Sequence, residues 1–387
     1  TRLKNDDGFP MQAIEFCLER AGLRGKDLHA VAVASHHQDY FHQLTRPGTW
    51  SVQDYIDEQH KFWYPTLFNN EEIKYSDALS HLVDRQQYPR EYWNDLSKGD
   101  VTFPKDRAEI VAKYLQIDLA KVHTVEHHLG HARYAYYSSD FIGRKALALT
   151  IDASGDGLNA TIGMFHSNGD YKRLVESSSC NLARLYRYVT LILGMKPNEH
   201  EYKVMGMAPY GKEKYGEAVL NIFRNLMSVE GIEFIWNKKY PDIYFSLKKE
   251  LEGHRFDAIA WGIQAFVEEI LEVWVRNAVE KFGISDVIVS GGVAMNIKAM
   301  GRLLNLKEVK GLFVPGSASD ESLAIGAALS YCHENASHSV SDKPLMLRNL
   351  YLGYRYNKEE EEHALEQLDS NQYEILAVDN IKIVDRL

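Results

Sequence analysis

Hydrophobic and polar residues follow one another along this chain in the order typical of an α/β protein. Residues 146–165 alternate on both sides of a Gly-Asp-Gly turn at 155–157, which predicts a β-hairpin. Apolar residues at helical spacing predict a long helix over roughly 257–282. Apolar runs at 286–290 and 311–314 are each followed by a loop of small residues and then by a helical pattern. This recurring order of strand, loop and helix predicts an α/β fold.

A segment rich in aromatic residues interrupts this order from residue 36 to about residue 103. A buried strand is predicted just before it, over 29–35. Its aromatic residues lie among charges without a clean period, and they include Trp50, Tyr55, Phe62, Trp63, Tyr64, Tyr92 and Trp93. Two interpretations are open: the segment covers or lines a site, or it packs as a lobe on its own aromatic side chains. The other predicted helices span 10–22, about 106–115, 181–194, 200–208 and 214–228.

Composition limits the classes of protein to which the chain can belong. Its 387 residues, of which 45% are hydrophobic, can bury a large core in two or three domains. A net charge of -10 argues against a nucleic-acid partner, because phosphate contacts need clustered Lys and Arg. The chain has no long apolar run of the kind that spans a membrane, so no membrane partner is predicted. The widely spaced Cys17, Cys180 and Cys332 indicate a reducing compartment, and we expect a cytoplasmic protein.

Both ends of the sequence indicate a piece of a longer protein. The chain starts without Met, almost directly on a predicted helix, and stops where strand-like alternation begins in EILAVDNIKIVDRL. We therefore expect further residues on both sides. Towards the C-terminal end, the charged run from Glu359 to Glu362 is typical of a solvated helix face.

The stretch VEHHLGHARYAYYSS, residues 125–139, carries the first candidate chemistry. His127 and His131 are four residues apart, so on a helix they share one face and can chelate one metal ion. Neutral imidazoles suit iron, zinc or manganese, whereas packing of the two rings in a helix is an equally good interpretation at this point. A zinc-peptidase motif needs Glu directly after the first His, and that place holds His128. We expect His128 and Glu126 to pack around the ligands.

Two further motifs place acidic and glycine residues at the ends of predicted strands. TIDASGDG puts Asp152 at the end of a strand, with free backbone amides after it, although Asp and Gly are also what hairpin turns contain. VIVSGGVAMN leads a strand through Gly291 and Gly292 into a helix, the position where phosphates bind in α/β folds. It is neither a Walker loop nor a G-x-G-x-x-G loop, and a tight corner is the plainer interpretation.

Two more motifs complete the set of candidates. In VPGSASDESLAIGAA, Asp320 lies at the start of a helix, where Asp is also a preferred N-cap. In PNEHEYKVMGMAPYGK, charged residues that include Glu201 and Lys203 precede a turn with Met, Gly and Pro. That composition is poor for a plain surface helix and favours a site.

Taken in chain order, EHHLGHA, IDASGDG, EYKVMGMAPYGK, SGGVAMN and PGSASDESLAIGAA resemble the nodulation-type and antibiotic-tailoring O-carbamoyltransferases. The resemblance runs over about residues 1–360. Each motif alone is weak, whereas five in the same order with similar spacing are specific. EYKxMGxAPYG is the most diagnostic, because related families lack it.

The resemblance implies a duplicated actin-like (sugar kinase/actin ATPase) α/β domain with two lobes over 1–340, which carries the aromatic-rich insertion at about 36–103. Residues 341–387 are then a linker and the beginning of a truncated YrdC-like domain, of which YLGYRYNKEEEEHALEQL is the opening. A YrdC-like domain makes carbamoyladenylate from carbamoyl phosphate and ATP. The actin-like domain transfers the carbamoyl group to a hydroxyl of a small-molecule or sugar acceptor, with a divalent metal that is usually iron, zinc and manganese being alternatives.

The resemblance also implies roles for individual residues. The family's metal ligands fall on His127, His131, Asp152 and Asp320. Its nucleotide-holding loops fall on Gly155, Gly157, Gly291, Gly292 and Asn296. As catalytic residues we hypothesise Lys203, in contact with the nucleotide phosphate, and Glu201, as an orienting or basic group. The family starts with a strand hairpin that carries a His-Asp pair, and this chain starts just after it. Residues 36–103 match poorly, so the sequence identifies no acceptor, and it leaves a homodimer open.

Two other functions are weighed against this one. A tRNA threonylcarbamoyl transferase-like enzyme would share the fold and the histidine pair, but the acidic charge and EYKVMGMAPYG argue against it. A catalytically inactive actin-like protein that binds nucleotide as a regulator is the second alternative. The joint presence of His127, His131, Asp152 and Asp320 argues against lost chemistry.

Overall fold

The computed structural model describes residues 8–36, 45, 47–83, 107–335, 353, 356–368 and 372–373. The chain divides into two compact units, Thr1–Met346 and Leu347–Leu387. In the described part, the strands are β1 Val31–Ala34, β2 Val122–Val125, β3 Ala146–Gly155, β4 Leu158–Phe165, β5 Tyr171–Ser177, β6 Met227–Glu230, β7 Glu233–Trp236, β8 Asp286–Ser290 and β9 Gly311–Phe313.

The α-helices of the described part are numbered in the same way. They are α1 Met11–Ala21, α2 Val52–Asp57, α3 Tyr64–Phe68, α4 Tyr75–Ala78, α5 Arg107–Leu115, α6 His127–Ser138, α7 Leu182–Ile192, α8 Glu201–Met207, α9 Glu213–Leu226, α10 Ile243–Glu250, α11 Phe256–Phe282, α12 Ile297–Leu304, α13 Leu323–Glu334 and α14 Lys358–Glu366. None of them combines the length and the apolar composition that crossing a lipid bilayer requires.

A five-stranded mixed sheet with the order β5-β4-β3-β8-β9 forms the centre of the first unit. β5, β4 and β3 are antiparallel neighbours, and β8 and β9 continue the sheet in parallel with β3. The first seven residues of β3 are buried, as expected for a central strand covered on both faces. Three antiparallel strands are thus followed by two parallel ones. The α/β fold class expected from the sequence is confirmed.

A second, two-stranded sheet pairs β1 and β2 in parallel. Its connectivity repeats that of β8 and β9: in both pairs a helix leads into the second strand, and another helix follows it. The helices that follow are α6 and α13, and they touch backbone to backbone, because a Cβ built on Gly326 would lie 2.0 Å from the carbonyl oxygen of Gly130. The helices that follow the two similar strand pairs are therefore in direct contact.

The described part of the aromatic-rich insertion packs on its own rings and on helices α7 and α10. Trp50, Tyr55 and Tyr75 are buried in one cluster with Leu191 of α7 and Tyr244 of α10. The carboxylate of Glu58 lies among them, and the Tyr75 hydroxyl donates a hydrogen bond to it over 3.0 Å. The insertion therefore packs on other helices of the first unit as well as on itself, and both interpretations of the segment stay open. The predicted aromatics Tyr92 and Trp93 lie outside the described residues.

The second unit is described over a short stretch. α14 starts at an Asn357 capping box, and its Glu-rich face is exposed, as predicted for a solvated helix. Most of 341–387, where a YrdC-like domain is predicted to begin, lies outside the described residues.

Candidate metal centre

The site begins where β2 passes into α6. Glu126 is the N-cap of α6, and its carboxylate accepts hydrogen bonds from the backbone N–H groups of His128 at 3.1 Å and Leu129 at 2.7 Å. Arg173 forms an ion pair with the same carboxylate. This cap makes His127 the first helical residue, so that His127 and His131 occupy one face of the first turn.

Four candidate ligands converge although they are far apart in sequence. Nε2 of His131 lies 3.2 Å from Nε2 of His127, 3.1 Å from Oδ2 of Asp152 and 3.4 Å from Oδ1 of Asp320. Nε2 of His127 lies 3.7 Å from Asp152 and 3.5 Å from Asp320. Asp152 comes from β3, and Asp320 from the turn before α13. All four ligand atoms lie within 4.8 Å of one another.

The donor set fits a divalent transition metal. Separations of 3.1–3.7 Å are those expected between ligands that each lie about 2.0–2.2 Å from a central ion. Two imidazole nitrogens and two carboxylate oxygens suit iron, zinc or manganese. The side chain of His131 is fully buried, whereas that of Asp320 is 62% exposed, so the cluster is open on the Asp320 side.

The electrostatics of the cluster favour a positive charge at its centre. Burial by itself lowers the pKa of His131, but hydrogen bonds and charges from Asp152 and Asp320 prevail and raise the pKa to about 9. Burial raises the pKa of Asp152, and the imidazoles of His127 and His131 outweigh it, so that this pKa lies well below its usual range. Because the two carboxylates stabilise a protonated imidazole, they are also placed to stabilise a bound metal cation.

The glycines of the predicted nucleotide loops lie around this cluster. A Cβ built on Gly155 would lie 2.1 Å from the His127 ring, and one on Gly291 would lie 2.3 Å from the carbonyl oxygen of Ile151. The N–H of Gly292 donates to Asp152 over 3.1 Å. Gly291, Gly292 and Gly155 therefore permit close approach of the segments that carry the ligands.

Gly157 and Asn296 are the other two residues of the predicted nucleotide loops. Gly157 has a φ of +84° in the β3–β4 turn and open space around it. Asn296 caps α12 through the N–H of Ala299, and its amide exchanges hydrogen bonds with that of Gln264. The helix predicted to follow Gly291 and Gly292 starts at Ile297, because Asn296 provides this cap.

Alanine at Gly155 tests whether this glycine exists to make room for His127. The added methyl group would overlap the imidazole, so we expect a loss of about 1–3 kcal/mol in unfolding free energy and weaker Zn²⁺ binding. Gly157→Ala is the matched control: its φ makes it strained by about 1–2 kcal/mol, but nothing lies within 4 Å of the new methyl group. Unchanged Zn²⁺ affinity in Gly155→Ala, measured by chelator competition, would contradict this role.

The structure places the two predicted catalytic residues at the start of α8. Glu201 accepts a hydrogen bond from the N–H of Asn198 at 2.7 Å, and burial raises the pKa of its carboxyl. Lys203 is exposed, with its Nζ 5.9 Å from the centre of the Tyr202 ring. In the part of the chain that the structure describes, no hydrogen bond or ion pair joins either residue to the four candidate ligands.

The sequence did not single out Ser35, nor Asp156 as a contact of the histidines. Oγ of Ser35 lies 3.0 Å from Nδ1 of His127, and Oδ2 of Asp156 accepts a hydrogen bond from the N–H of His127 at 2.7 Å. Both residues have positive φ angles, of 71° and 49°. His128, as expected, packs beside the ligands: it is buried, and its Nδ1 lies 2.8 Å from Oγ1 of Thr150.

Comparison with known proteins gives one matching family and several distant relatives. The family model described as Carbamoyltransferase N-terminus matches residues 1–329. Nodulation protein NolNO of Sinorhizobium fredii is 26% identical, with 91% of this chain and 45% of that protein covered. An uncharacterised protein of Synechocystis is 27% identical, with 94% and 57% covered, and nodulation protein NolO of Bradyrhizobium diazoefficiens is 29% identical, with 54% and 38% covered. The chain spans about half the length of the curated relatives that it matches.

Proposed function

Because this chain belongs to the carbamoyltransferase family, we propose that it performs the transfer step of an O-carbamoyltransferase. The donor in this proposal is carbamoyladenylate, made from carbamoyl phosphate and ATP. The acceptor is a hydroxyl group of a small molecule or sugar: its oxygen bonds to the carbamoyl carbon, the bond from that carbon to the phosphate oxygen breaks, and AMP leaves. The observation that carries the proposal is the convergence of His127, His131, Asp152 and Asp320 on one point.

We propose that these four residues hold a divalent metal, with iron preferred over zinc and manganese. Such an ion would polarise the carbamoyl carbonyl as a Lewis acid and neutralise charge on the phosphate. The histidines would hold it through Nε2, and because both side chains are buried they would keep their positions without reorganisation. Because Asp320 is the exposed member, the donor and the acceptor reach the cluster from its side.

The loops next to the cluster are our proposed nucleotide site. The loop that contains Gly291 and Gly292 follows the carboxyl end of β8, where α/β folds bind phosphates. Its two glycine N–H groups are engaged inside the protein, since Gly291 donates to Ala318 and Gly292 to Asp152. A phosphate bound here must therefore replace the Gly292 bond or contact other backbone groups of the loop.

Glu201 is our proposed proton acceptor for the attacking hydroxyl. Its pKa is raised by burial, so its carboxyl is a better base than an exposed one, and removal of a proton from the hydroxyl assists attack on the carbamoyl carbon. Lys203 is exposed and carries the positive charge that we assign to a phosphate contact. Residues 341–387 are proposed to begin the YrdC-like domain that supplies the donor.

A transfer assay that supplies freshly prepared carbamoyladenylate tests the proposed transfer step with this chain alone. The YrdC-like domain that would make the donor is then not needed. We expect the protein loaded with Fe²⁺ under anaerobic conditions to add one carbamoyl group to a hydroxyl of at least one acceptor in a panel of sugars, aminoglycosides and lipo-oligosaccharides, detected by mass spectrometry. We expect removal of the metal with a chelator to stop transfer and its restoration to recover it. Transfer that proceeds at full rate in the metal-free protein would overturn the metal-dependent mechanism.

A further inference from the structure

We infer that Ser35 is a positioning residue for His127, which it holds in the tautomer and orientation that a metal ligand needs. Ser35 follows the end of β1, 92 positions before His127 in sequence, and β1 pairs in parallel with β2, the strand that leads into His127. Asp156 completes this support from the β3–β4 turn. The inference rests on the metal centre of the proposed function.

The hydroxyl of Ser35 is placed to accept a hydrogen bond from the proton that the His127 imidazole must carry on Nδ1 if Nε2 holds a metal. Nε2 of His127 faces His131 and Asp320, while Nδ1 lies 3.0 Å from Oγ of Ser35. A metal takes the lone pair of Nε2 only if the neutral ring carries its proton on Nδ1. Nδ1–H then donates to Oγ of Ser35, the arrangement by which outer hydrogen bonds orient metal-bound histidines.

The backbone of Ser35 is held in an unfavourable conformation by several hydrogen bonds. Its φ is 71°, in the left-handed region that a residue with a side chain seldom adopts. Its N–H donates to the carbonyl of Val125 over 2.7 Å, and the Arg107 guanidinium donates to the carbonyls of Ala34 and Ser35. Glycine would satisfy this backbone without strain, so the serine hydroxyl is the feature that needs a function.

Asp156 acts on the backbone of the same ligand. One carboxylate oxygen, Oδ2, accepts the N–H of His127 at 2.7 Å and the N–H of His36 at 3.0 Å. It therefore joins the residue after Ser35 to the first residue of α6. His131 differs, since its Nδ1 has no hydrogen-bond partner among the described residues and its ring is held by burial. Of the two histidines, His127 alone has a hydrogen-bond partner at Nδ1 in the described part of the chain.

The test is Ser35→Gly, which removes the hydroxyl and relieves the backbone strain. We expect the metal-free protein to be at least as stable to heat as the wild type, and its Zn²⁺ affinity to fall about 10–100-fold. We also expect the visible absorption bands of bound Co²⁺ to shift, because the ligand geometry changes. Gln116→Gly is the matched control: it relieves a φ of 55° after α5 and should leave both metal measurements unchanged.

A second pair of variants tests the contribution of Asp156. Asp156→Asn keeps an oxygen that accepts both N–H groups and tolerates the φ of 49°, so we expect near wild-type Zn²⁺ affinity. Asp156→Ala removes the acceptor, and we expect an affinity about 10–100-fold lower. If the wild type binds Zn²⁺ and Ser35→Gly binds it equally well with the same Co²⁺ spectrum, the inference is wrong. If the wild type binds neither ion, the metal centre itself is wrong.

Discussion

Replacing either His127 or His131 with alanine is expected to abolish metal binding and carbamoyl transfer together. Each substitution removes an Nε2 that lies within 3.7 Å of both carboxylates, so Asp152 and Asp320 would face each other with one imidazole between them. Loss of an outer partner alone costs roughly 10–100-fold in metal affinity, and loss of a ligand costs more. Metal content by elemental analysis and Zn²⁺ affinity by chelator competition measure the first effect, and the transfer assay measures the second.

His166→Ala is the control for these substitutions. His166 is an exposed residue at the end of β4, outside the cluster, and the variant should keep both metal and activity. Circular dichroism of each variant separates loss of a ligand from loss of the fold. A folded His131→Ala protein that retains its metal and its transfer rate would show that other groups carry the chemistry.

Metal binding is expected to strengthen by about tenfold per pH unit between pH 7 and pH 9 and then to level off. The pKa of His131 is raised to about 9 in the metal-free protein, so below that pH a proton must leave before Nε2 binds an ion. The stability of the metal-free protein should instead fall as the pH rises. A raised histidine pKa contributes stability that is complete below its unfolded value of 6.5 and is lost as the pH rises through about 9.

Calorimetric titration of Zn²⁺ at pH 7 in buffers of different ionisation enthalpy measures this proton directly. We expect about one proton to be released from His131 for each ion bound. His128 should not contribute, because burial and the neighbouring His127 lower its pKa to about 4 and keep it neutral in this range. An affinity that is flat from pH 7 to pH 9, with no proton released, would contradict the charge state that we assign to the cluster.

The sequence predicted the elements whose pattern is strong over many residues. The β3–β4 hairpin and the long α11 lie where alternation and helical spacing placed them. β5 was missed, because its alternation mixes charged and apolar residues and its pairing with β4 is what stabilises it. The hairpin of β6 and β7 was also missed: the predicted helix was extended to residue 228, although Gly231, with a φ of +59°, marks the turn.

The candidate ligands could be predicted from motifs, whereas their supporting residues could not. His127 and His131 carry a helical spacing that is visible in the sequence, and the structure brings Asp152 and Asp320 to them. No spacing connects Ser35 to His127, because a contact over 92 residues exists only once β1 has paired with β2. The positive φ of a serine is likewise set by tertiary contacts and not by local preference.

The contact of α6 with α13 affects how many of the candidate ligands can reach one ion. Gly130 lies between the two histidines in α6, and Asp320 comes three residues before α13 begins. Because the helices meet at Gly130 and Gly326 with no side chain between them, their spacing sets how far Asp320 lies from the imidazoles. A methyl group on Gly326 would widen that spacing and withdraw the Asp320 carboxylate, so that only the other three candidate ligands would stay close enough to hold the proposed ion. The absence of side chains at Gly130 and Gly326 therefore sets the distance at which Asp320 can serve as the fourth candidate ligand.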